Sequence, residues 1–314
     1  MFVPTMVACS EMALRLGRAD ADLWSAWLEA LAAIPGDPYG AELRRFNETT
    51  ALLVHGVPLA YYNRVLMRDA PDVEVIDDIA SFYRERLTPC RVDVNPYAAN
   101  SELLDALDAA DFRPAAFQSN LFGRVVIVDD EPPPQVEVTE VGAGDIEFFA
   151  DFYNRSYYHG QRVPRGLTSF RTATISARHG RPGWRMYLCR VGGIPASGAM
   201  LYTNDGVATL TGAATSPAFR GRGCQRALLG ARLNDAACSG CDLVVSRCGV
   251  GSPSQRNLER AGLQTGYTKV IWEQRGLPSD ERRVRRRRVR GSHSAPRVIG
   301  PQVAEPAQLP AAVG

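Results

Sequence analysis

Lysine is almost missing from this chain of 314 residues: Lys269 stands alone among 36 basic side chains. So complete a skew reads as a GC-rich coding bias rather than as a preference for bidentate phosphate binding. No apolar run approaches the ~20 residues that a membrane span requires. The stretch from Met1 to Gly17 contains Glu11 and lacks a basic start, so it does not read as a secretory signal, and a soluble cytoplasmic protein is expected. Regular cysteine spacing is absent as well. Seven cysteines scattered from Cys9 to Cys248 do not form a disulfide framework and suit a reducing compartment. The one Cys-x-x-Cys pair, Cys238-Ser-Gly-Cys241, has no second pair to complete a zinc site. It reads as a helix end turning into a strand, and no metal is expected.

What remains is globular material. Hydrophobic residues make up 45% and charged residues 22% of the chain, enough for two ordinary cores and against wholesale disorder. The net charge of +2 conceals an asymmetry. Residues 276–314 carry eight Arg against Asp280, Glu281 and Glu305, which leaves the rest mildly acidic at 28 basic against 31 acidic side chains. Two boundaries follow from composition. Asp129-Asp-Glu-Pro-Pro-Pro134 favours extended polyproline conformation and reads as a linker between segments 1–128 and 135–275. Gly276-Leu-Pro-Ser-Asp280 opens a tail expected to be disordered, with seven Arg among the nine residues from Arg282 to Arg290. That run offers electrostatic contact to nucleic acid, but no aromatics interleave it as base stacking requires, so a solvated end is the expectation.

Periodicity gives each segment an alternation of helices and strands. In the first, helices are expected over Ser10 to Leu31, Val73 to Leu87 and Ser101 to Ala110. Strands are expected over Thr50 to Val54, Leu59 to Met67, Val92 to Val94 and Pro114 to Val128. In the second, a strand at Val136 to Val141 precedes helices at Asp145 to Tyr153 and Leu167 to Arg178. A meander follows at Met186 to Val191, Ala196 to Thr203 and Val207 to Thr215. A helix from Cys224 to Cys238, a strand at Leu243 to Val245, a helix from Ser254 to Ala261 and a strand from Gln264 to Glu273 complete it. Ala109-Ala-Asp-Phe112 and Arg260-Ala-Gly-Leu263 echo one another before a strand, as two copies of one plan would.

The chemistry concentrates in Gly212-Ala-Ala-Thr-Ser-Pro-Ala-Phe-Arg-Gly-Arg-Gly-Cys-Gln-Arg-Ala-Leu-Leu229. A strand ends near Thr215, Pro217 stops its ladder, and a glycine turn runs into a helix. The first turn of a helix has amides without internal partners and a partial positive charge. Gly221 and Gly223 permit unusual dihedrals and close approach, while Arg220, Arg222 and Arg226 add cations. Together they make an anion site suited to a pyrophosphate. The Gly-Lys-Ser/Thr of a Walker loop and the third glycine of the dinucleotide fingerprint are both lacking.

With these residues the sequence resembles the GNAT superfamily of acyl-CoA-dependent N-acyltransferases, well over Val136 to Gln274 and faintly over Glu11 to Val128. The family pattern R/Q-x-x-G-x-G/A falls on Arg220, Gly221, Arg222, Gly223, Cys224 and Gln225, with Gln225 in place of a small residue. The resemblance implies an α/β (α+β) fold of two tandem domains, each a mixed, mostly antiparallel sheet flanked by helices, the first copy degenerate. It implies that strands Val207–Thr215 and Leu243–Cys248 splay to admit pantetheine, with Ala214 and Thr215 near the arm and Asn257 or Ser254 touching it. It implies acetyl-CoA or another short acyl-CoA as co-substrate, and direct attack by a primary amine carried on a small molecule or peptide. The tyrosine that often serves the family as proton donor is replaced by Leu258, and Val207 to Thr215 carries no carboxylate. His159 and Tyr267 are therefore the candidate catalytic groups, with Glu140 behind them, and Tyr157 and Tyr158 candidate pocket residues. These absences also motivate an alternative, a non-catalytic acyl-CoA sensor or partner-binding module. The first segment, without an Arg-Gly-x-Gly, is expected to wall off the acceptor cleft, with Tyr61, Tyr62, Asn63 and Arg64 as possible pocket groups. A monomer of two linked copies satisfies this plan, and nothing in the sequence fixes another oligomeric state.

Overall fold

A computed structural model describes residues 9–67, 72–129, 131–161, 163–164 and 166–275. The Arg-rich tail expected over 276–314 lies outside the described residues. Helix α1 (Ser10–Ala32) is followed by strands β1 (Ala41–Phe46), β2 (Thr49–Val54) and β3 (Arg64–Leu66), helix α2 (Ile76–Glu85), β4 (Arg91–Val94), α3 (Ser101–Ala109) and β5 (Phe112–Arg124). Then come β6 (Val136–Glu140), α4 (Ile146–Tyr157), α5 (Leu167–Arg178), β7 (Trp184–Val191), β8 (Ile194–Asn204) and β9 (Val207–Thr215). Last are α6 (Cys224–Cys238), β10 (Leu243–Gly249), α7 (Pro253–Arg260) and β11 (Gln264–Gln274). Among the described residues no helix is long and apolar enough to cross a membrane.

Eleven strands of the described residues join in one sheet, in the order β1-β2-β3-β4-β11-β5-β10-β9-β8-β7-β6. The chain echo is visible in it. Each half contributes an antiparallel run ending in a parallel pair, β3 with β4 and β9 with β10. Each half also lends its last strand across the centre: β5 pairs with β10, and β11 lies between β4 and β5. The two halves are therefore stitched by main-chain hydrogen bonds.

Strand alternation sorts the side chains into layers. On β7, Tyr187 and Cys189 face α6 in one cluster, while Met186 and Leu188 face Phe149 of α4 and Ile175 of α5 in another. Local chemistry sets the helix ends. Asn100 accepts from the Leu103 amide at 2.8 Å to start α3, and Ser252 accepts from the Gln255 amide at 3.2 Å, with Pro253 opening α7. Between Cys238 and Cys241 the chain leaves α6 through Gly240 at φ +73° and enters β10 soon after, the turn expected of that pair. The Leu228 side chain of α6 is fully buried against the sheet. Leu228→Ala should cost about 2–5 kcal/mol through lost transfer energy and the cavity left behind, read as a lower urea midpoint at unchanged slope.

Three expectations are corrected. The strand expected over Leu59 to Met67 shrinks to Arg64–Leu66 because the Asn63 side chain holds a turn before it. Asn63 accepts from the Val54 amide at 2.7 Å and donates to the Val57 and Leu59 carbonyls at 2.9 and 3.0 Å. β1 was not expected, since Glu42, Arg44 and Arg45 mask its alternation on an exposed edge. α4 runs four residues past Tyr153, so Tyr153 and Tyr157 lie one turn apart on the same face.

Candidate functional site

The site begins where two parallel strands part. β9 and β10 share register from Val207↔Leu243 to Leu210↔Ser246, where the Ser246 hydroxyl donates to the Leu210 carbonyl at 3.1 Å. Beyond that pair β9 stays on β8 as far as Thr215, and β10 stays on β5 as far as Gly249. A wedge opens between them, as the family resemblance implies. At its apex the β8–β9 register jumps from Met200↔Thr211 to Ala199↔Ala213 and leaves Gly212 unpaired at φ +55°. A Cβ on Gly212 would run into the Met200 methyl and lie 2.8 Å from the Tyr153 hydroxyl. Only glycine fits there.

After Thr215 a short 3-10 turn, Pro217–Phe219, leads through Arg220 into the glycine turn. Gly221 and Gly223 adopt φ +75° and +83°, and Gly223 caps α6 without a side chain to occupy the first amides. Among the described residues no backbone oxygen of a neighbouring element accepts from the amides of Gly221 to Gln225. Arg220, Arg222 and Arg226 surround this helix start, Arg220 on its exposed side. Gln225, where the family usually has a small residue, turns its side chain towards the wedge, and its Oε1 is buried without a hydrogen-bond partner among the described residues. Pro133 packs on Gly223, with its ring 3.0 Å from where a Cβ would stand.

The wedge continues into a cavity of about 190 Å³. Ser254 and Leu258 of α7 line the α6 side. The opposite side is closed by Trp24 and Trp27 of α1, Tyr61 and Tyr62 before β3, and Tyr153 and Tyr157 of α4. The first half thus contributes residues to the lining of the cavity. Six arginines also line the cavity, namely Arg64, Arg91, Arg171, Arg178, Arg232 and Arg247, and no Asp or Glu does so among the described residues. Three of them have carboxylates behind them. Asp93 meets Arg91 at 2.7 Å, Arg64 at 3.4 Å and Lys269 at 2.7 Å, and Asp20 meets Arg247 and Lys269. Burial pushes the Asp93 carboxyl up, but Arg91, Lys269 and Arg64 outweigh it and hold the group well below the usual carboxylate range. Burial draws Arg64 down to about 9 and Arg178, Arg232 and Arg247 to about 10, so all four keep their charge at neutral pH. Burial raises the Tyr153 phenol above its ordinary value against the opposing pull of Arg171 and Arg178.

The structure brings together only part of the residue set expected from sequence. Arg220, Gly221, Arg222, Gly223, Cys224, Gln225 and Arg226 gather at the helix start, with Cys224 buried beneath it. Ala214 and Thr215 lie on β9 past the parting. The Ser197 hydroxyl bonds the Ala214 carbonyl at 2.9 Å and the Thr215 hydroxyl at 2.8 Å. On α7 the cavity is lined by Ser254 rather than Asn257, whose Oδ1 accepts from Arg260 at 3.0 Å. His159 sits on an exposed turn after α4, and Glu140 is exposed on the edge strand β6. Tyr267 packs with Leu16 and Phe122 away from the cavity. Among the described residues no group of three His, Cys, Asp or Glu is placed to hold a metal. Tyr153, Arg171 and Arg178 are among the lining groups that sequence reasoning passed over. A signal existed for the arginines. Arg171, Thr174, Ile175 and Arg178 stand at i, i+3, i+4 and i+7, so a stripe whose middle is buried carries a cation at each end.

No family model matches the chain, and no curated protein matches it in sequence. Solved structures do match in shape. A GCN5-related N-acetyltransferase from Kribbella flavida superposes with TM-score 0.58 at 16% identity, over 82% of this chain and 95% of that one. A tandem GNAT protein from the clavulanic acid biosynthesis pathway gives 0.54 at 16% identity, over 83% and 97%. A GCN5-related N-acetyltransferase from Sphaerobacter thermophilus gives 0.51 at 15% identity, over 83% and 93%. The chain has the GNAT superfamily fold, in a mixed α/β arrangement shared with a tandem member.

Proposed function

We propose that the protein transfers an acetyl or other short acyl group from CoA to a primary amine. The parting of β9 and β10 beside the glycine start of α6 carries this reading. The cap at Gly223 with no side chain, the open amides and the orphaned Gln225 Oε1 suit the polar pantetheine–pyrophosphate chain of a CoA ester. When bound, that ester supplies an activated carbonyl. The amine nitrogen bonds to the carbonyl carbon, the C–S bond breaks, the nitrogen loses its proton to water in the wedge and the thiolate gains one, so that the products are an amide and free CoA thiol. In this reading, main-chain groups freed at the Gly212 bulge stabilise the charge that develops on the carbonyl oxygen. Attack requires a neutral amine, and the cationic lining favours one by depressing the pKa of any ammonium held beside it. Leu258 is apolar, so the proton for sulfur comes in this proposal from Tyr153, whose hydroxyl stands at the apex of the wedge.

Calorimetric titration with acetyl-CoA tests the reading. Saturable binding is expected, and its absence at millimolar concentration would remove the proposal. Binding without acyl-amine product over a broad amine panel would leave the sensor alternative. Gly223→Ala should weaken acetyl-CoA binding roughly tenfold, because a Cβ meets Pro133 and an L residue resists the left-handed backbone by about 1–2 kcal/mol. Affinity equal to wild type would place the pyrophosphate elsewhere.

A further inference from the structure

We infer that the accepting amine is itself an acid, a small molecule carrying a carboxylate or phosphate near its amino group, and that Arg171 and Arg178 bind that anion. The inference rests on the acyl-transfer reading and adds to it a substrate class.

Arg171 and Arg178, together with Arg232, whose Nε and Nη1 donate to the Leu228 and Met200 carbonyls at 3.0 and 3.4 Å, are provided for differently from the other three arginines of the cavity. Arg64, Arg91 and Arg247 each meet an aspartate. Arg171 instead donates to the Asn154 Oδ1 at 3.1 Å and the Tyr62 hydroxyl at 3.4 Å, and stacks on Tyr157 and Tyr158 at 4.4 and 4.9 Å. Arg178 donates through Nε to the Thr174 carbonyl at 2.8 Å and lies 4.7 Å from the Trp184 ring centre. All of these partners are neutral. Among the described residues neither arginine has a carboxylate within salt-bridge reach, although Arg178 is buried and both line the cavity. Taking a cation out of water is costly unless an anion and hydrogen bonds compensate it. Here aromatic faces and carbonyls compensate part of that cost, and an anion entering the cavity would complete it. Guanidinium forks match the planar oxygens of a carboxylate or the oxygens of a phosphate. A cavity of about 190 Å³ suits a small metabolite, and its cationic lining repels a polyamine. The acid end of such a molecule would sit on α5 while its amine faces Tyr153 and Gly212, both of which line the same space.

The test uses the full chain with acetyl-CoA and chemically matched acceptors. Amino acids are compared with their decarboxylated amines, phosphoethanolamine with ethanolamine, and spermidine serves as the cationic control. The acids should exceed their neutral partners about a hundredfold or more in kcat/KM, because a buried charge left unpaired carries a penalty of that order. The carboxylate and phosphate arms then identify the anion. Equal turnover of ethanolamine or spermidine overturns the inference while leaving acyl transfer standing. If no amine turns over, succinate and phosphate titrated calorimetrically against the protein decide instead. Binding weakened tenfold or more in Arg171→Gln and Arg178→Gln supports the anion site, and binding that is absent or unchanged in the variants overturns it. Retained acetyl-CoA affinity certifies that each variant is folded, and Arg178→Lys, which keeps the charge, should recover part of the lost binding.

Discussion

Asp93→Asn is expected to destabilise the protein by about 3–5 kcal/mol, the range found when one partner is removed from a buried ion cluster. The Asp93 side chain on β4 is 8% exposed and takes Arg91, Arg64 and Lys269 together. These cations come from β4, β3 and β11, so one carboxylate balances charge at the place where the last strand of the second half enters the sheet of the first. Asparagine preserves the shape and removes the charge, leaving three buried cations with only Asp20 near Lys269. Urea unfolding should show the loss in the midpoint, with the thermal transition falling on the order of 10 °C. A midpoint within about 1 kcal/mol of wild type would show that the cluster is balanced by other means. The pH dependence has a definite sign. The folded carboxyl titrates below its unfolded value near 3.9, so its contribution is complete above that value and fades as pH falls through the folded one. In the Asp93→Asn variant the acid limb of the stability curve should be correspondingly shallower.

The proposed cofactor side is far more legible in the sequence than the proposed acceptor side, for a physical reason. The proposed contacts to a CoA ester are made by backbone: amides at a helix start, glycines with positive φ and a strand that stops on cue. Such features require particular residues in a local order, and Pro217, Gly221 and Gly223 announce them within seven positions. The bounds of β9 and α6 were readable for the same reason. The proposed acceptor wall is assembled from side chains more than ninety residues apart, with Trp24, Tyr62 and Arg64 lining one cavity with Tyr157 and Arg171 from three helices, a strand and the turn before it. No local pattern encodes that meeting. The exchange of β5 and β11 is hidden likewise, because each strand reads the same whichever neighbour completes its ladder. His159 illustrates the limit. Its residue type invites a catalytic role, yet where α4 ends puts it on an exposed turn, while Tyr153, inconspicuous on the buried stripe of the same helix, faces the apex of the wedge.

Tyr153→Phe should therefore lower kcat about a hundredfold, the modest end of what a positioned acid contributes, while leaving acetyl-CoA affinity near wild type. The phenol is the polar side-chain group beside Gly212 on the α4 side, and burial raises its pKa, so it holds its proton at neutral pH and can deliver it to a departing thiolate. Leu258 offers nothing in its place. Phenylalanine keeps the ring that packs against Phe149 and Tyr157, so stability and cofactor binding separate a packing role from a chemical one. A packing role would shift the unfolding midpoint and acetyl-CoA affinity along with turnover, and a chemical role shifts kcat alone. If Tyr153→Phe turned over at the wild-type rate, the thiolate would have to draw its proton from solvent entering the wedge.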